Sequence, residues 1–373
     1  MTVNAGGHEH RLDPIAAREL VCREAKAIGF AAVGICDASP IDRRRELEAW
    51  LAAGRHGEMA WLAERAELLL DPASVLEGAR AAIVVADRYH DGRSDRADTS
   101  DPPRGRIARY ARGEDYHRTI RRRLERLVEA ISRSFPDASF RICVDTAPLL
   151  ERELAARADL ARIGKHTLAI SPGLGSWTLL GEVLTTAAIA PTSTGAGGDP
   201  CGGCTRCLEA CPTKAITPFS VDATRCVSYL TIEHRGAIDP ALHEGIGDWV
   251  FGCDVCQEVC PHNQPTRRSR RTPGDPALTP RRDGFPLREL LEWTEEDRRA
   301  AFVTSAMKRA KLPAMRRNAV IAAANAIAKG EHAAAELEAI LSRLHEIAAD
   351  PTEDPLVRQT AIDSVRRIDG RRS

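Results

Sequence analysis

Eight of the eleven cysteines lie within residues 201–260, a density that points to metal or redox chemistry. In "CGGCTRCLEACP" the spacing is Cys201-x2-Cys204-x2-Cys207-x3-Cys211-Pro212. This is the bacterial ferredoxin run, in which three thiolates hold one four-iron cluster and the fourth reaches to another. "FGCDVCQEVCP" supplies Cys253, Cys256 and Cys260, but Val250 stands where a symmetric ferredoxin would have its first ligand. Cys226 is the remaining cysteine of the block and fills that gap. The spacing therefore predicts one [4Fe-4S] cluster on Cys201, Cys204, Cys207 and Cys260, and a second on Cys226, Cys253, Cys256 and Cys211. Structural zinc normally takes two separated pairs and matches this pattern poorly. Cys22, Cys36 and Cys143 stand alone and read as small buried residues.

Two clusters in series form an electron wire, which needs an acceptor. "GLGSWT" (173–178) lacks the third glycine of a dinucleotide fingerprint. "DYHRTI" (115–120) approaches an Asp-x-His-x-x-Gly cobalamin signature but ends in Ile120, which gives His117 no case as a cobalt ligand. Asp145, in "FRICVDTAPLLERELAARA", sits where a strand is expected to stop and a helix to begin. Helix capping and catalysis both suit an aspartate there.

The elements that must position these groups fall into three blocks. Residues 1–193 alternate strand-like runs, "AAVGIC" (31–36), "AAIVVA" (81–86) and "FRICV" (140–144), with helical stretches, and read as an α/β domain. In its helix near 117–134, Ile120, Leu124, Leu127, Val128 and Ile131 form an apolar stripe. Arg121, Arg122, Arg123 and Arg126 then read as the solvated face. The cysteine block, 194–265, follows the linker "TSTGAGGDP" (192–200). After "NQPTRRSRRTPGDP" (263–276) the block 266–373 is helical. There, "RNAVIAAANAI" and "RQTAIDSVRRI" align at an offset of 41 residues, a period seen in HEAT-type repeats.

At 373 residues the chain can build several cores, and its 53 basic and 53 acidic side chains cancel. Any nucleic-acid surface must therefore be local. Residues 261–320 hold fourteen basic against seven acidic side chains. The start "MTVNAGGHEH" has no leader pattern and no apolar run is of membrane length, so a reducing cytoplasm and no membrane are expected.

"CVDTAPLLERELA", "GKHTLAISPGLGSW", "CGGCTRCLEACPTKAI", "CVSYLTIEHRG" and "GCDVCQEVCPHN" resemble, in order and spacing, the epoxyqueuosine reductases, over about residues 15–370. The resemblance implies a cobalamin-binding α/β domain, a ferredoxin-like two-cluster domain and HEAT-like C-terminal repeats that bind tRNA. It implies reduction of the epoxide of epoxyqueuosine at the tRNA wobble position, with electrons passing from an external low-potential donor through the clusters to cobalamin. Asp145 would be the proton donor, its pKa raised by burial. Asp145, His166, Ala169, Leu180, Ser228, Cys253 and Asp254 would line the cofactor. Thr231, His234, Arg235, Lys308, Arg309, Lys311, Arg316 and Arg317 would contact tRNA. His166 and Leu69 replace the asparagine and arginine common in that family. A monomer is expected. A corrinoid dehalogenase-like reductase and a non-catalytic iron–sulfur carrier are the competing readings.

Overall fold

The computed structural model describes residues 12–90, 102–192, 197–265, 272 and 274–372. Residues 193–196 of the first predicted linker and 266–271 and 273 of the second lie outside these residues.

The first sheet joins β1 (Ala32–Asp37), β2 (Ala81–Arg88), β5 (Thr178–Thr185) and β4 (Phe140–Cys143), in the order β1-β2-β5-β4. Every pairing in it is antiparallel. The block is thus mixed α and β, as expected, but it is not a parallel βαβ sheet. Ligand placement at the carboxyl ends of parallel strands has no purchase here. Along β2, Ala81, Ile83 and Val85 enter one core while Ala82, Val84 and Ala86 enter another, so both faces are covered. The first core is closed by α1 (Pro14–Ile28) and α2 (Tyr116–Ser132). The second is closed by α3 (Glu151–Arg157).

Helix α2 buries the stripe Ile120, Leu124, Leu127 and Ile131. Its arginines divide. Arg121, Arg122 and Arg126 are exposed, whereas Arg123 is buried, ion-paired with Asp87 and Asp275 and stacked 4.2 Å over Phe30. Placing Arg123 on the solvated face fails because two acids from distant segments meet it inside.

The second sheet has β3 (Arg104–Ile107) at its centre, parallel to β6 (Trp249–Phe251) and antiparallel to β7 (Gly284–Pro286). Each of the three sequence blocks contributes one strand. The cysteine block adds the short helices α4 (Val227–Ile232) and α5 (Val255–Glu258). The tail ends in α6 (Leu312–Lys329), α7 (Ala334–Ala349) and α8 (Pro355–Arg372). Helix α6 is buried on most of its sides and is the pillar of the tail core.

Candidate functional site

Strand β4 ends at Cys143, and two residues later Asp145 adopts φ 57°, a left-handed conformation uncommon for aspartate. Its amide donates to Glu151 Oε1 at 2.5 Å, which holds the turn against the start of α3. Helix α3 is flanked by Leu150 and has no side-chain cap, so Asp145 does not cap it. The capping alternative fails because five residues separate Asp145 from the helix. Behind the turn, Glu182 of β5 is fully buried beside Glu151. Burial, reinforced by the neighbouring acids, lifts Glu151 to about 7 and holds Glu182 well above the carboxylate range.

The half-exposed carboxylate of Asp145 meets His117 Nε2 at 3.0 Å. His117 Nδ1 lies 2.7 Å from Asp115 Oδ1, and Asp115 also accepts from the His117 amide as the cap of α2. The imidazole stacks on Tyr116, with centroids 4.1 Å apart. A ring with a carboxylate at each nitrogen donates from both when it is protonated. Burial alone would depress His117, but the bonds to Asp115 and Asp145 outweigh it and raise the group to about 9. The same bond to His117 holds Asp145 below the usual carboxylate range, against the effect of burial. The expectation of a raised Asp145 is therefore corrected: the proton at neutral pH sits on His117. Sequence reasoning discarded His117 because it tested only the cobalt-ligand role. The spacing Asp115-x-His117 was visible, but its partner 28 residues on was not.

The basic segment of the tail borders this site. Thr304 accepts from the Asp115 amide at 2.8 Å, and the charges of Lys308 and Arg309 are felt at Asp115 and Asp145 respectively. Lys308 and Lys311 are exposed. Arg309 is partly exposed, pairs with Glu233 at 2.5 Å and lies over Trp61 at 5.1 Å.

Other residues expected to contact RNA are consumed inside. Thr231 is fully buried, and its hydroxyl joins Val227 to the Gly252 amide. Arg317 is fully buried and donates to the carbonyls of Leu230, His234 and Gly236 and to Asn318 Oδ1. Arg316 is held by Glu353 at 2.7 Å. His234 bonds Glu58 and the Ala237 carbonyl, while Arg235 remains exposed. Arg317 shows the cause most plainly: it lies on the side of α6 that faces the cysteine block and is needed to satisfy the loop carbonyls there.

Cys201, Cys204, Cys207 and Cys260 line one small cavity with His166, Arg206, Pro261 and His262. Of the second set, Cys226 and Cys253 pack against the same core as Val227 and Trp249. Burial raises the thiols of Cys207, Cys226, Cys253, Cys256 and Cys260. Thiolate ligands form at such depth only together with the positive charge of the metal. Among the described residues, no group of His, Cys, Asp or Glu converges on a single metal-ion position. A ring of thiols around a cavity suits a larger cluster.

Of the residues expected to line cobalamin, His166 instead faces the first cysteine cavity, and burial pushes it down to about 4. Asp254 is 1% exposed, and both carboxylate oxygens serve the fold, one binding Arg109 and the other Gln257. Ala169 is buried, Leu180 lies on β5 rather than in a turn, and Ser228 is partly exposed on α4.

Residues 70–146 match the family described as epoxyqueuosine reductase QueG, and residues 200–263 match the 4Fe-4S double cluster binding domain. The epoxyqueuosine reductase of Pseudomonas aeruginosa is 37% identical over 318 residues, covering 84% of this chain and 87% of its own. The chain belongs to the epoxyqueuosine reductase family. The family is also represented by a crystal structure of an epoxyqueuosine reductase with an epoxyqueuosine-modified tRNA-Tyr stem loop. It has a TM-score of 0.79 and 27% identity, covering 94% of this chain and 89% of that one. An epoxyqueuosine reductase from Bacillus subtilis, with its catalytic Asp loop swung out of the active site, gives a TM-score of 0.77 at 26% identity, covering 94% and 90%. No helix among the described residues is long and apolar enough to cross a membrane.

Proposed function

We propose that this chain is an epoxyqueuosine reductase that converts the epoxide on the modified wobble base of tRNA to an alkene. The reaction takes two electrons and two protons and releases the epoxide oxygen as water. The observation that carries this reading is the chain Asp115–His117–Asp145, which ends in a half-exposed carboxylate beside the exposed lysines of the tail. In our reading residues 1–193 form the cobalamin-binding catalytic block, 194–265 the two-cluster domain and 266–373 the HEAT-like tRNA-binding block. An external low-potential donor supplies the electrons to a cytoplasmic monomer.

Asp145 delivers the proton to the epoxide oxygen, and His117 supplies it across 3.0 Å. Asp115 fixes the ring and stabilises its positive charge, as a carboxylate does for a catalytic imidazole. The loop in the Bacillus subtilis enzyme agrees with a turn that moves, and here the Glu151 bond to the Asp145 amide sets its closed position. The fit to cobalamin is supported by the stretch between Ala169 and Leu180. Ser171 Oγ, Trp177 Nε1 and Thr178 Oγ1 are buried there without partners among the described residues, and they suit the amide-bearing rim of a corrin. Cobalamin would supply a low-potential centre at which the electrons reach the substrate. Lys308 and Lys311, with Arg309, hold the phosphates of the stem loop.

The test is anaerobic single-turnover conversion of epoxyqueuosine in tRNA by reconstituted protein, with mass analysis of the nucleosides. No conversion with clusters and cobalamin in place rejects the proposal. Retention of all iron in Cys226→Ala would reject the ligand sets, since about four of eight irons should be lost.

A further inference from the structure

The loop between the paired segments Arg162–Ile163 and Ala169–Ile170 folds over the first cysteine cavity. Its Lys165 amide donates to Cys201 Sγ at 3.4 Å, and the Lys165 ammonium grips the carbonyls of Gly202 at 2.6 Å and Cys204 at 3.1 Å. The loop is therefore clamped to the cysteine run at three points. His166 follows at once and is 3% exposed.

The tautomer of His166 follows from its neighbours. The Leu168 amide donates to Nδ1 at 3.1 Å, so Nδ1 is the acceptor and the ring proton is on Nε2. That Nε2–H is buried and has no partner among the described residues. A buried donor costs free energy unless an acceptor meets it, and the ring lines the same cavity as Cys201, Cys204, Cys207 and Cys260. Four of the eight residues that line that cavity are cysteines, which sets sulfur acceptors around the ring.

We propose that His166 donates an Nε2–H hydrogen bond to a sulfur of the cluster held by Cys201, Cys204, Cys207 and Cys260, and so raises the reduction potential of that cluster. This rests on the two-cluster reading above. Donors to cluster or cysteinyl sulfur stabilise the more negative, reduced cluster, and the Lys165 amide acts in the same sense. In the second set, main-chain amides also reach ligand sulfurs, that of Ala215 to Cys211 at 3.3 Å, those of Ser228 and Tyr229 to Cys226, and that of Val255 to Cys253. His166 is a positioning residue for electrons, and it touches no substrate.

The experiment is a potentiometric titration followed by electron paramagnetic resonance on reconstituted protein, with iron counted in every sample. His166→Phe keeps the ring and removes the donor. It should weaken the one-electron reduction of one cluster about tenfold, a shift of about 59 mV to lower potential, and leave the other unmoved. His166→Gln, which retains an N–H donor, should recover part of the shift. Unchanged potentials in an eight-iron His166→Phe protein overturn the proposal. If the Phe variant loses iron, pulsed measurements on protein carrying 15N-labelled histidine decide: a histidine nitrogen coupled to one cluster in the parent and lost in His166→Gln supports the bond, and no such coupling in the parent overturns it. Failure of the unmutated protein to hold about eight irons removes the two-cluster reading itself, a result separable from unchanged potentials with the iron present.

Discussion

Asp145 and Arg317 are both charged residues expected to meet the substrate, and the fold treats them in opposite ways. Asp145 stands half-exposed on a turn, its carboxylate held by the side chains of His117 and Tyr116. Arg317 is completely enclosed, and its guanidinium closes on three carbonyls of the 230–236 segment. The difference teaches how to read charge in this chain. A charge whose partners come from loop carbonyls is part of the scaffold, whereas a half-exposed one held by titratable side chains is left with capacity for chemistry.

The largest test of that contrast is Asp145→Asn. Asparagine tolerates the left-handed turn and leaves α3 untouched, since that helix takes no cap from residue 145. Loss of one of the two carboxylates on protonated His117 should cost on the order of 1 kcal/mol of stability below pH 9 while the fold survives. Single-turnover conversion should fall by about 10²- to 10⁴-fold, the usual worth of a positioned acid. A rate within about threefold of the parent would move Asp145 to the scaffold side.

Arg317→Ala should do the reverse. Several buried acceptors lose their donor at once, so denaturant unfolding should report a loss on the order of 3 kcal/mol or more. The folded fraction should bind tRNA with the affinity of the parent. Stability near that of the parent combined with weakened tRNA binding would break the comparison.

His117 sharpens it through pH. Its pKa is raised to about 9 from an ordinary 6.5, so its contribution to stability is complete below about 6.5 and disappears as pH climbs through 9. The amount is at most a few kcal/mol. Unfolding free energy should therefore decline between pH 6.5 and 9 more steeply in the parent than in His117→Gln. Turnover should fall across the same upper limb, because the proton that Asp145 passes on is lost. A pH–rate profile flat to pH 10 would count against the pairing.

The smallest effect belongs to the exposed lysines. Replacing Lys308, Arg309 and Lys311 with alanine should weaken tRNA binding about tenfold at moderate salt and flatten the salt dependence by about two units of slope, roughly 0.7–0.9 per lost phosphate contact. Arg309 adds least, because Glu233 and Trp61 already engage it.

The sequence showed the cysteine sets through their spacing because ligand geometry is local. It also showed β1, β2 and β4 to within about a residue or two of their ends. It missed β5, the strand between β2 and β4, because "GSWTLLGE" begins with turn residues and carries Glu182 where an apolar residue is expected. It placed Arg123, Thr231 and Arg317 outside because their partners lie 36, 21 and more than 80 residues away. His117 was legible as a residue type, but its pairing with Asp145 depends on a strand end and a helix start brought together only by the fold.

The sheet built from β6, β3 and β7 also bears on how the protein is made. Strand β3 waits about 140 residues for β6 and about 180 for β7. On the ribosome, the thiols at 201–260 emerge while that sheet still lacks its last strand, and the segments that press on them from the tail are not yet synthesised. Contacts of such long sequence separation form late and slowly. A chain cut short before β7 is therefore expected to hold its cysteine block less firmly, and to retain less iron on reconstitution, than the full chain.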